Sequence, residues 1–127
     1  LTQCNLKIIN SLLNEMNEHH LISILNVIIK IRLDISEWNK YRCIMILVNK
    51  ICEKITPEIS TEIIDYTSIC LDMKQYVQWN EVNREAIIFF SKIKKKIPEK
   101  IKKSLEIKVN NLLSLPCFKV RPVFGDT

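Results

Sequence analysis

The chain has 127 residues, 47% of them hydrophobic and 26% charged, which is the size and make-up of a single domain with a buried core. One Gly and four Pro leave little turn chemistry for a hairpin-rich sheet, and a single glycine at position 125 excludes a Gly-rich phosphate loop. The formal net charge of +5 matters less for its size than for where it sits along the chain.

Leu6, Ile9, Leu13 and Met16 recur at three- and four-residue spacing and predict a first helix over about residues 2–17. A second is expected over about 19–33, apolar on most sides and packed between neighbours. Ser23, Asn26, Lys30 and Arg32 interrupt its apolar tract, which therefore falls short of the ~20 apolar residues of a membrane span. Asp34 and Ser36 then break and restart the chain, with Ser36 expected to cap a third helix over about 37–55. That helix carries two adjacent stripes, Tyr41, Met45, Val48, Cys52 and Ile55 beside Ile44, Leu47 and Ile51, and so predicts two packing partners.

Thr56-Pro57-Glu58 reads as a helix start, because the hydroxyl can cap, the proline lacks an N–H that is unsatisfied there anyway, and the acid meets the positive end of the dipole. A fourth helix over about 57–73 follows, with Ile59, Ile63, Tyr66, Cys70 and Met73 on one face and a loop at 74–78 behind it. Asn80 is expected to cap a fifth helix over about 80–97, whose stripe is Val82, Ala86, Phe89, Phe90, Ile93 and Ile97. Pro98-Glu99 opens a sixth, with Ile101, Leu105, Val109, Leu112 and Leu113 facing inward, and Pro116 stops it. Residues 1–115 thus read as one helical domain and 116–127 as an extended or disordered tail.

Trp38-Asn39 recurs as Trp79-Asn80, and Pro57-Glu58 recurs as Pro98-Glu99, both at an offset of 41 residues. The same offset lays Met45 on Ala86, Val48 on Phe89, Cys52 on Ile93, Ile64 on Leu105 and Leu71 on Leu112. A period in the low forties, with room for two helices per unit, predicts an all-α, right-handed α-solenoid segment of about six helices. A compact orthogonal helical bundle is the alternative. Only about three units fit, and residue 1 is Leu, so a segment of a longer array is expected, with end faces that a neighbour would cover.

The run from Pro57 through Asp72, followed by Trp79-Asn-Glu-Val-Asn-Arg-Glu-Ala-Ile-Ile-Phe-Phe, resembles a HEAT or armadillo-like repeat. Val82 and Ala86 match the Val-Arg-x-x-Ala pattern of the family's second helix, whereas Asn83 stands where Arg is expected and Arg84 comes one place late. The earlier copy keeps Arg42 but lacks the Val and Ala. Asp72 is the candidate for the acid of the family's inter-helix turn. The resemblance covers about residues 19–115 and implies architecture, while leaving function open.

No residue set points to catalysis. His19 and His20 are adjacent, so on a helix they diverge by about 100° and cannot share a metal on one face. Glu58, Glu62 and Asp65 are spaced for one helix face, but no histidine or base accompanies them and a solvated face is expected. Cys4, Cys43, Cys52, Cys70 and Cys117 include no CxxC pair and read as core thiols of a reducing intracellular compartment, nuclear or cytoplasmic. No cofactor, no metal and no membrane span is expected, and the chain is read as a non-enzyme.

Lysine carries the strongest local signal. Lys92, Lys94, Lys95, Lys96, Lys100, Lys102, Lys103 and Lys108 face only Glu99 and Glu106 over residues 92–108, a net of +6 in a chain of +5. Such a cluster can hold phosphates or an acidic peptide, although a merely solvated helix face is the commoner outcome. No aromatic ladder interleaves the lysines, so any nucleic-acid contact would be to the backbone. Trp38 and Trp79 are read as packing residues, and Phe118, Arg121 and Phe124 mark a candidate peptide motif in the tail. The expected function is a non-catalytic protein-protein interaction scaffold within a larger assembly, with another protein or further repeats as partner. Nucleic-acid backbone binding is the alternative.

Overall fold

The computed structural model describes residues 3–34, 36–56, 58–73 and 78–115, with the side chains of residues 3, 4 and 6 outside that description. Six helices and no strand occupy the described residues: α1 Gln3–Glu15, α2 Glu18–Ile28, α3 Trp38–Lys54, α4 Thr61–Asp72, α5 Trp79–Ile93 and α6 Glu99–Leu113. All six predicted helices are present, and the two tryptophans of the 41-residue repeat are the first residues of α3 and α5. Residues 116–127, with Cys117, Phe118, Arg121 and Phe124, lie outside the described part.

Helix ends depart from expectation where a different cap wins. α4 starts four residues after Pro57, because Ser60 is its N-cap and its hydroxyl accepts from the Ile63 N–H at 3.3 Å. Asn17, unrecognised as a cap in the sequence, accepts from the His20 N–H at 2.9 Å and fixes the start of α2. Ser36 does not cap α3; its own N–H turns to Asp34 Oδ1, and Glu37 takes the cap position without a side-chain bond. Asn80 lies inside α5 rather than before it.

α3 packs chiefly on α5, α4 on both α5 and α6, and α2 on α3. Arg42 pairs with Glu81, Asn49 bonds to Glu85, and Glu53 pairs with Lys92, so contacts advance in step along α3 and α5. The two helices therefore run parallel. α4 and α6 do the same: Thr61, Ile64 and Ser68 share a groove with Lys100, Ile101 and Ser104, while farther along Asp72 meets Lys108. α3 with α5, and α4 with α6, are thus parallel neighbours.

One core runs through the chain, from Leu13 to Leu112. Its centre is aromatic: the Tyr41 ring lies 5.6 Å from Trp79 and 5.8 Å from Tyr66, centroid to centroid. Val82, Ala86, Phe89, Phe90, Ile93 and Ile97 are all buried, as the stripe on α5 predicts. Two expectations fail. α2 buries only Leu21 and Leu25 within its length and leaves Val27 66% exposed, its main contact being with α3. Leu113 points outward at 41% exposure, one helical step beyond the buried Leu112.

Polar anchors tie the helices together. The Tyr41 hydroxyl donates to the Leu33 carbonyl and accepts from the Leu33 N–H, both at 2.9 Å, fixing the α2–α3 connection. Asn83 Nδ2 donates to the carbonyls of Cys70 at 2.6 Å and Met73 at 3.0 Å, closing the end of α4 against α5. Asn83 thus joins α4 to α5 through a neutral amide. Asp72 pairs with Lys108 at 2.5 Å and not with an arginine.

Candidate functional site

The lysine cluster occupies the end of α5, the turn at residues 94–98 and α6 as far as Lys108. The structure divides it into two sets. Lys92 reaches Glu53 at 3.5 Å and the Asn49 carbonyl at 3.4 Å; Lys102 lies between Glu99 at 3.7 Å and Glu106 at 3.9 Å; Lys108 is held by Asp72. These three brace helices. Lys94, Lys95, Lys96, Lys100 and Lys103 are exposed and make no ion pair among the described residues.

The unpaired lysines do not share one cleft. Lys94 lines an outer groove of about 190 Å³ between α5 and α6, with Ile87, Phe90, Val109 and Leu113 as its apolar surface and Glu106 across from it. Lys100 lines a larger groove of about 500 Å³ between α4 and α6, opposite Asp65. The positive N-terminal end of α6 lies among them: Pro98 has no N–H, and no side chain caps the helix.

Large exposed hydrophobics are equally sorted. Among the described residues they are Ile8, Leu12, Val27, Ile31, Ile107 and Leu113, all on α1, on α2 and the turn after it, or on α6. α3, α4 and α5 carry none. The sequence pattern did not single out Ile8, Leu12, Val27 or Ile107. Their signal is apolar residues lying outside the main stripes, which becomes legible only once the stripe that packs is known.

Sequence reasoning also missed the polar ladder between α3 and α5. Arg42 Nε lies 2.8 Å from Glu81, and Asn49 Nδ2 donates to Glu85 Oε1 at 3.3 Å and to the Glu85 carbonyl at 3.1 Å. Burial raises the Glu85 carboxyl above the usual carboxylate range, against the opposing pull of the Asn49 hydrogen bond and of Arg42, Lys92 and Arg84. Buried Asn49 keeps its Oδ1 without a partner among the described residues. The ladder's rungs are spaced 39 and 36 residues apart, not 41, so a search at the core period passes over them.

Glu58 precedes α4, so it does not share a helix face with Glu62 and Asp65, and all three are exposed. His19 and His20 are exposed in the first turn of α2. No group of three metal-ligating side chains occurs among the described residues. Cys43, Cys52 and Cys70 are free thiols, and burial pushes Cys52 up to about 11 and Cys70 up to about 12, the opposite of nucleophile activation. Trp79 is fully buried and cannot anchor an outside ligand; Trp38 is half-buried against the core. No described helix is long and apolar enough to cross a membrane.

No protein-family model, curated protein or solved structure matches this chain.

Proposed function

We propose that the chain is a non-catalytic protein-interaction scaffold, a right-handed α-solenoid segment of HEAT or armadillo-like type acting in an intracellular assembly, nuclear or cytoplasmic. The observation that carries the reading is the sorting of exposed hydrophobics onto α1, α2 and α6, with α3 to α5 clean. In a stack of hairpins each unit covers the one before it, and the two end units keep the faces a neighbour would bury. Parallel running of α3 with α5 and of α4 with α6 supports the same reading. A compact orthogonal bundle would scatter such residues without regard to chain order. Free Cys43, Cys52 and Cys70 suit a reducing compartment.

Affinity capture of the full-length protein from cells tests this, with Val27→Glu and Leu113→Asp as probes of the two ends. Both side chains are exposed, so the fold should survive substitution. The expected result is a defined set of partners, part of which one of the two variants loses. Undiminished capture by both variants, or a substrate turnover with no stable partner, would overturn the reading.

Five unpaired lysines beside an uncapped helix start favour one second reading, contact with a nucleic-acid backbone. Titration with duplex DNA and single-stranded RNA across a salt series decides it, with steep salt dependence expected and no binding at low salt excluding it.

A further inference from the structure

The way α5 is held shows what the groove beyond it is shaped to receive. α5 lies against both α3 and α4, with Val82, Ala86, Phe89 and Ile93 in the core and Glu81 and Glu85 paired to Arg42 and Asn49. It is an amphipathic helix whose polar flank, Glu81 and Glu85 and then Lys92, is matched by Arg42, Asn49 and Glu53 of α3. On α5 itself, Ile87, Ser91 and Lys94 lie about 100–160° around the axis from the ladder residues Glu81, Glu85 and Lys92. They form, with Glu106, Val109, Asn110 and Leu113 of α6, the corresponding groove one hairpin further on.

That groove has an apolar surface and a basic end. Phe90 and Val109 lie at its base and Leu113 is on its rim, 41% exposed. Lys94 lines it, Lys95 and Lys96 follow in the turn, and Lys103 stands near the start of α6, none with a carboxylate partner among the described residues, while Lys100 faces the separate α4–α6 groove. Glu106, the one acid in the groove, is already engaged by Lys102. Like-charged groups gathered this way attract an acidic partner, and they repel a basic one.

We propose that this outer α5–α6 groove docks an amphipathic helix of a partner protein that carries an apolar stripe and acidic residues in its last two turns. The helix runs parallel to α5, as α5 runs parallel to α3, and so brings its negative C-terminal end to the lysine turn. This deepens the scaffold reading and rests on it: the groove supplies the end face, and the lysines choose the partner's charge.

Three synthetic helical peptides test the proposal by fluorescence anisotropy against the full chain. The first has a Leu stripe and Glu in its last two turns, the second the same stripe with Lys in place of Glu, and the third the same Glu with Ser in place of the stripe. The first is expected to saturate below about 0.1 mM, and the others to bind at least about tenfold more weakly. Lys94→Glu combined with Lys95→Glu and Lys96→Glu, and separately Leu113→Asp, should each weaken the first peptide about tenfold or more, while Lys7→Glu on α1 leaves it unchanged.

Equal binding of the Glu and Lys peptides, or no saturation by the first peptide up to about 1 mM, overturns the proposal. Duplex DNA binding as tightly as the first peptide, with the same loss in the triple lysine variant, also overturns it in favour of a phosphate site. The scaffold reading fails separately. If cellular partners are lost with Val27→Glu but kept with Leu113→Asp, that reading stands and the α5–α6 docking site falls.

Discussion

Asn83→Ala removes a side chain that touches no solvent and serves two helices. Its Nδ2 donates at 2.6 Å to the Cys70 carbonyl and at 3.0 Å to the Met73 carbonyl, the orphan acceptors at the end of α4. Each bond contributes about 1 kcal/mol net, and each carbonyl left buried without a donor costs about 1–3 kcal/mol. Removing Asn83 Oδ1, which has no partner among the described residues, returns part of that cost. The balance is a loss of about 2–4 kcal/mol. For a domain of this size that lowers Tm by roughly 6–16 °C, measurable by thermal denaturation followed by circular dichroism. Asn83→Asp should be worse, because it replaces the donor with a buried negative charge facing two carbonyls. An Asn83→Ala protein melting within about 2 °C of the parent would refute the claim that this amide joins α4 to α5.

Phe89→Ala, at a fully buried position, is expected to cost about 3–5 kcal/mol, while Lys94→Ala on the wet side of α5 changes stability by less than about 0.5 kcal/mol, both read from denaturant midpoints. Glu85 sits above the ordinary glutamate value of 4.5 in the folded state, so the folded chain binds more protons there than the unfolded chain does. Stability from this group therefore rises as pH falls from above the folded value toward 4.5, and is lost as pH rises through that window. Glu85→Gln, which keeps an acceptor for Asn49, should flatten that part of the Tm-against-pH profile. Cys70, fully buried with its thiol pushed up to about 12, should resist maleimide in the native protein at neutral pH and react only on unfolding, whereas half-buried Cys43 reacts first of the three described thiols; mass spectrometry of partially labelled protein reads the order.

What was legible in the sequence follows from which forces are local. The α5 stripe was readable because every one of its members faces the core, and helical periodicity reports burial directly. Trp38 and Trp79, 41 residues apart in sequence, are the first residues of α3 and α5, although Asn80, the expected cap, lies inside α5. The start of α4 was misplaced because Thr56-Pro57-Glu58 and Ser60 are competing caps in sequence, and only the path of the chain decides between them. α2 was overestimated as a helix buried on most sides because apolar residues say that something can be buried, and not how closely the neighbours pack; Val27 is 66% exposed.

The basic region was visible as a count of lysines but not as a division of labour. Lys92 and Lys108 reach carboxylates that precede them by 39 and 36 residues, Glu53 and Asp72, and no local pattern announces those pairs. Taking these two out, together with Lys102 between Glu99 and Glu106, leaves Lys94, Lys95, Lys96, Lys100 and Lys103 as the cations open to a partner. Exposed Leu113, with Ile87, Phe90 and Val109 in the same groove, supplies the apolar part that the lysines alone do not.

The account depends on successive hairpins stacking with like helices side by side and parallel. A nuclear Overhauser spectrum of the isotope-labelled full chain tests this without substitution. Parallel stacking predicts cross-peaks from the Tyr41 ring to the Trp79 ring and, two turns on, from the Asn49 side-chain amide to Glu85, as their separations of 5.6 Å and 3.3 Å require. Cross-peaks from Tyr41 to Ile93 with none to Trp79 would place α3 and α5 antiparallel, and would contradict both the stacked architecture and the end faces derived from it.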